Sequence, residues 1–160
     1  MTPEYALSLV IRPVLSWMGS RYSSVDAERM MLAIGIQESG FRHRRQVVST
    51  YEYGPARGWW QFERPGVAEA LSDDRHDLVM RLGLPADLRK LHEIIEWSEI
   101  GATVCARLLL WGEPEPLPSP EACDEGWRQY INRWKPGKPD AQRWDRAWDQ
   151  ACKIIEDNRR

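Results

Sequence analysis

The 160-residue chain has no run of about 18 apolar residues, so it offers no candidate membrane span. Nor does its N-terminus read as a secretory leader: Glu4 stands where a positive segment belongs, and Arg12 and Pro13 interrupt the apolar stretch. Cysteine is sparse. Cys105, Cys123 and Cys152 are odd in number and far apart, which excludes a disulfide framework and gives no metal-ligand spacing; reduced thiols on or beside the core are expected. His43, His76 and His92 show no zinc spacing and are read as surface or rim residues. A dominant charge is also missing. The net charge of −2 provides no global field that would draw the chain to nucleic acid. There is no Ser-His-Asp arrangement, no phosphate-cradling glycine loop and no internal repeat. No metal, cofactor or nucleic-acid partner is expected. Phenylalanine is nearly absent at two residues, whereas tryptophan is abundant at nine. An indole N–H needs a partner, so this excess points to rings lining an amphipathic groove as well as rings in the core.

What is present reads as a mainly α fold in one domain over residues 1–160, with about seven helices and at most a short hairpin near residues 47–53. Thr2-Pro3-Glu4 supplies an N-cap, a first-turn proline and a favourable acid. The apolar stripe that follows, Ala6 to Met18, closes at Gly19, and Pro13 should kink or split it. Ser24 caps a second helix whose buried face runs through Ala27, Met30, Met31 and Ile34, with Ser39-Gly40 as its stop. Residues 42–62 have no helical period and carry Gly54, Pro55 and Gly58, the mark of a loop with a glycine-bounded turn. Short helices are expected near 66–71 and 74–82. A longer helical region follows Pro85 and reaches Trp111, with Gly101 marking a break or a close contact. The run 112–118 is an extended surface loop; a helix from Ser119-Pro120-Glu121 reaches about Trp134; the last helix carries Trp144, Trp148, Ala151 and Ile155.

Glu38 is the residue in this pattern that carries chemistry. Met31, Ile34 and Glu38 are spaced by three and four, so they share one helix face that is otherwise apolar. The carboxyl ends that stripe at a helix C-terminus. Partial desolvation and the negative end of the helix dipole both disfavour its charged form. A carboxyl kept protonated near neutral pH is suited to donating a proton to a glycosidic oxygen. Gly54-Pro55-Ala56-Arg57-Gly58-Trp59-Trp60-Gln61-Phe62 follows. There a Trp60 ring can stack on a sugar face, and the Gln61 amide can serve hydroxyl or acetamido groups.

Together these segments resemble the lytic transglycosylase and goose-type lysozyme group, including small phage-encoded relatives. The likeness starts at Ile34-Gly35-Ile36-Gln37-Glu38-Ser39-Gly40-Phe41, which is similar to the family's apolar helix ending in Glu-Ser. Gly54 to Gln61 is similar to the second motif. Glu99-Ile100-Gly101-Ala102, leading into Leu108-Leu109-Leu110, looks like the third, and Trp127-Arg128-Gln129-Tyr130 falls where the family places a tyrosine facing the acid. The order is kept over roughly residues 24–137. Trp59 and Trp60 stand where the family usually has Leu and Met, Glu99 where it has Asn, and Ile131 separates Tyr130 from Asn132.

The resemblance implies a lysozyme-like domain that cleaves peptidoglycan glycan strands with Glu38 as acid/base, and Ser39, Gln61, Trp60 and Tyr130 at the substrate. The substrate's own hydroxyl attacks in the transglycosylase version, water in the lysozyme version. If a second carboxylate takes part, Glu52, Glu63, Asp73 and Asp74 are the nearby candidates. The alternative is a non-catalytic module on the same fold, holding glycan or forming part of a virion, with phage virion proteins as partners. Either way the reading implies synthesis in the cytoplasm and delivery to the cell wall by another factor or by a phage particle. The basic run Arg42-His43-Arg44-Arg45 is expected to attract anionic wall polymer or to pair with nearby acids.

Overall fold

The structure, a computed structural model, describes residues 1–49, 52–72 and 75–159. It is mainly helical with one two-stranded hairpin. Helix α1, Pro3–Ala6, starts at Thr2, whose side chain accepts from Tyr5 N. It runs without a break through a π turn, Leu7–Ile11, into α2, Arg12–Met18. Pro13 has no N–H and its ring crowds the carbonyl four residues back. The helix adapts by widening: Arg12 N–H donates to Leu7 O, five residues back, and the rod continues. Gly19 ends it as expected.

Helix α3, Val25–Glu38, begins at Ser24, whose side chain accepts from Ala27 N. It is buried on more than the expected stripe, since Leu32, Ala33 and Gly35 are covered too. The hairpin pairs β1, Arg45–Ser49, with β2, Glu52–Arg57, antiparallel, in the register Arg45↔Arg57, Val47↔Tyr53 and Ser49↔Glu52. Gly54 and Pro55 therefore belong to a strand and not to the turn read from the sequence. Pro55 is tolerated because β2 carries extra residues between the first two pairs, where no ladder N–H is required.

Four helices follow: α4 (Arg64–Ala70), α5 (His76–Arg81), α6 (Leu88–Ile94) and α7 (Glu99–Trp111). The long helical region expected after Pro85 is thus two helices. The break falls at residues 95–98 and not at Gly101, because Ser98 caps α7 by accepting from Gly101 N. Counting Pro3–Met18 as one, the described residues form eight helices, and this break accounts for the one beyond the seven expected. The proline-rich loop 112–118 is held down by side chains: Arg29 donates to Pro118 O at 3.0 Å and Gln129 to Pro116 O at 2.8 Å. Helix α8, Cys123–Trp134, starts later than Ser119-Pro120-Glu121 suggests, because Pro120 O instead accepts from Trp148 Nε1. Helix α9, Ala141–Asp157, is capped by Asp140.

One apolar cluster runs from Ala6 to Ile155, with α3 packed along α9. Trp144, Trp148, Ala151 and Ile155 are all buried, as their spacing predicts. The three cysteines are free thiols, Cys105 within the core and the others half-buried. His92 departs from its expected rim position. It is buried, with Nε2 2.9 Å from Phe62 O, and burial holds its pKa below the ordinary value. Among the described residues no helix is long and apolar enough to cross a membrane.

Gly35 is a point of close approach on α3. A Cβ there would lie 2.2 Å from Phe41 Cζ. Gly35→Ala is expected to cost about 1–3 kcal/mol by forcing the ring aside. Chemical denaturation measures this, and a change within about 0.5 kcal/mol would mean that Phe41 does not pack there.

Candidate active site

Helix α3 stops at Glu38 because the chain turns left-handed directly after it. Gly40 and Phe41 have φ of 59° and 57°, and Gly40 N donates to Gly35 O and Ile36 O. A left-handed phenylalanine costs about 1–2 kcal/mol. It is held by its ring, set edge-on to Trp59 and Trp60 at 5.3 and 5.8 Å. Ser39 Oγ accepts from Phe41 N at 3.1 Å and donates to Trp59 O at 2.6 Å. Ser39 thus fastens the end of α3 to the turn at residues 58–61.

That turn begins at Gly58, with φ of 73°. Its N–H donates to Arg44 O at 2.7 Å, and a Cβ would meet Ile95 O at 2.8 Å. Such a conformation and such a gap together admit only glycine. Gln61 also has positive φ, at 49°, and its Nε2 donates to Gly58 O at 2.8 Å. Three left-handed non-glycine residues occur among the described residues: Gln61 and Lys135 line the cleft, and Phe41 follows Glu38 by three residues. Strain concentrated in this way accords with a functional site.

Glu38, Gln61, Tyr130 and Trp134 line a cleft of about 760 Å³, with Gln37 and Arg143 alongside. Tyr130 and Trp134 lie on one face of α8, and Tyr130 stacks on Trp144 of α9 with ring centroids 5.0 Å apart and planes 8° from parallel. Held this way, its hydroxyl donates to Glu38 Oε1 at 2.6 Å. Oε2 is left to carry a proton. Burial pushes the Glu38 carboxyl up from 4.5 to about 7, against the Tyr130 hydrogen bond and the Arg143 charge, which both pull it down. Tyr130 itself is held in its neutral form, first by burial and then by the neighbouring carboxylate. A half-buried acid with this pKa is divided between its two forms near neutrality, as a group that must first give and then take a proton requires.

Of the expected site residues, the structure brings together Glu38, Gln61 and Tyr130. It does not place the other two on the cleft. Ser39 is buried and its hydroxyl is committed to Trp59 O, so it positions the loop. Trp60 is 0% exposed; its Nε1 donates to Met31 O and its carbonyl accepts from Trp134 Nε1, both at 2.9 Å. The ring supports the site from beneath, and Trp134 is the indole that reaches the cleft. Among the second-carboxylate candidates, Glu63 lines the cleft and Glu52 does not, while Asp73 and Asp74 lie outside the described residues. In the basic run, His43 lines the cleft, Arg44 pairs with Glu99, and Arg45 sits over the Tyr53 ring.

Sequence reasoning missed Trp134, Gln37 and Arg143. The first was within reach, being four residues from Tyr130 on the same helix face. Arg143 had no local signal: it reaches Ile36 O from a helix that begins more than a hundred residues later.

Tyr130→Phe removes a hydrogen bond that favours ionised Glu38, so the Glu38 pKa should rise further above about 7. In any reaction that uses this acid, the alkaline limb of the pH–rate profile should move to higher pH. An unmoved limb would show that the hydroxyl does not govern the carboxyl.

Searches against protein-family models, curated proteins and solved structures return no match for this chain.

Proposed function

We propose that this protein cleaves the glycan strands of peptidoglycan at the β-1,4 bond, with Glu38 as general acid and then base. The observation that carries the reading is the half-buried Glu38 carboxyl, with a pKa near 7, facing an open cleft and steadied by Tyr130. Two side chains on the cleft suit a sugar polymer: Gln61 offers an amide for acetamido and hydroxyl groups, and the partly exposed Trp134 offers an aromatic face. The ordered likeness of four segments to lytic transglycosylases and goose-type lysozymes supports the same reading.

In the proposed reaction the Glu38 O–H gives its proton to the leaving glycosidic oxygen as the bond from the anomeric carbon breaks. The resulting carboxylate then takes the proton of the attacking hydroxyl. If that hydroxyl belongs to the substrate, an anhydro sugar forms; if it is water, a reducing sugar forms. A single acid/base is enough for the first outcome. Glu63 is the carboxylate on the cleft that would be available for the second.

Mass analysis of soluble fragments from digested sacculi tests the proposal. Fragments with anhydro ends support the transglycosylase version and fragments with reducing ends the lysozyme version. Intact sacculi after exposure to folded protein would refute cleavage and leave the non-catalytic glycan-binding or virion role.

A further inference from the structure

Gln37 is a polar side chain on the cleft that the proposed chemistry leaves unused. It precedes Glu38 on α3, is 6% exposed and still lines the cleft. Its Nε2 donates to Asp140 O at 3.1 Å. A carbonyl only accepts, so this bond fixes which end of the amide is nitrogen and which is oxygen. The oxygen, Oε1, is buried and has no hydrogen-bond partner among the described residues. A buried acceptor left in that state is costly and calls for a reason. The donor within its influence is the Tyr130 hydroxyl, on which the Gln37 and Glu38 side chains both act. That hydroxyl has one proton, and it is given to Glu38 Oε1 at 2.6 Å. Two acceptors therefore compete for one donor.

We infer that Gln37 is a positioning residue for the acid: its Oε1 takes the Tyr130 hydrogen bond whenever Glu38 is protonated and yields it whenever Glu38 is ionised. Its place in turnover rests on the glycan-cleaving reading; the exchange itself rests on the hydrogen-bond geometry. A carboxylate is the stronger acceptor, because the bond to it is charge-assisted. Once Glu38 carries a proton that advantage is gone, and the otherwise unpartnered amide oxygen is the better place for the hydroxyl. The phenolic proton stays on Tyr130 throughout, and only its O–H turns. With the hydroxyl on Gln37, neutral Glu38 is free to aim its own O–H at the glycosidic oxygen. When the carboxylate forms, the hydroxyl swings back to it. Gln37 thus stabilises the protonated acid and Tyr130 the ionised base. His43 before β1, Glu63 and Glu69 at α4, Arg133 and Lys135 at the end of α8, and Lys138 and Asp140 before α9 face the same cleft, but Arg143 is the charged side chain that acts on Glu38.

Carbon NMR across the Glu38 titration tests this without substrate. In wild type the Gln37 Cδ signal should move with the same midpoint as the Glu38 carboxyl, and in Tyr130→Phe it should stay nearly still. A Cδ signal that is flat in wild type overturns the inference. So does one that moves equally in Tyr130→Phe, as a mere neighbour of a changing charge would. Gln37→Met keeps the length of the side chain and removes the acceptor. It should weaken proton binding at Glu38 about fivefold, the worth of one hydrogen bond, and so move the midpoint to lower pH. In the Tyr130→Phe background the same replacement should have no such effect, because the exchange is already gone. Equal shifts in both backgrounds would show that Gln37 acts as packing and not through Tyr130, and would overturn the inference. If the exchange is seen while sacculi stay intact, the cleavage reading has failed and the exchange stands.

Discussion

Replacing Glu38 by glutamine should lower glycan-strand cleavage by about 10²–10⁴-fold while leaving the fold intact, which is the range that a general acid/base contributes. The amide keeps the shape of the side chain and retains an oxygen to accept from Tyr130, so the stacked Tyr130–Trp144 pair has no reason to move. What is lost is the transferable proton. The same variant makes a second, independent prediction through linkage. The folded carboxyl titrates at about 7 against an ordinary 4.5, so the native state holds a proton that the unfolded chain has already released between those values. The stability contributed by protonated Glu38 is complete below about pH 4.5 and is lost as the pH rises through about 7. Glutamine never ionises. Glu38→Gln should therefore be more stable than wild type at about pH 8, by about 1–3 kcal/mol, and the gap should close in mild acid. Denaturation at the two pH values checks this; a gap independent of pH would show that Glu38 is not raised by burial.

Trp60→Ala should destabilise the protein by about 3–5 kcal/mol, the usual cost of deleting a large buried ring. Trp60 is 0% exposed, with its N–H spent on Met31 O and its ring against Phe41 and Trp59. Removing it leaves a cavity beneath the end of α3 and frees the left-handed Phe41, so the Glu38 carboxyl should lose its fixed position as well. Trp97, at 72% exposure, supplies the control: its alanine variant should fall within about 0.5 kcal/mol of wild type. Denaturant midpoints with unchanged slopes would carry the comparison. A Trp60→Ala value no larger than the Trp97→Ala value would mean that the ring is not part of the core.

The helices were legible wherever a cap and a stripe coincided. Thr2, Ser24 and Gly19 mark real termini, and the four-three-four spacing in α9 buries the side chains it names. Boundaries went astray where a side-chain hydrogen bond decided them. Ser98 overrode Gly101 as the break before α7, and Trp148 drew Pro120 out of the start of α8. The strand from Glu52 to Arg57 was hidden by Gly54 and Pro55, which usually mark turns and here occupy an irregular stretch of the ladder. Glu38 was legible because its apolar helix face foretold burial. Burial is also the largest cause of its raised pKa. Trp60 and Ser39 were misread because adjacency in sequence does not say which way a side chain faces once the backbone turns left-handed. Both point inward, and the cleft takes its indole from Trp134.

Titration of the Glu38 carboxyl carbon by NMR in the wild-type protein shows directly whether the cleft holds a carboxyl able to donate a proton at neutral pH. A midpoint near 7 is expected, set by burial and restrained by Tyr130 and Arg143. A midpoint near the ordinary 4.5 would contradict it: Glu38 would then be a solvated carboxylate at neutral pH, and the cleft would have no acid to offer.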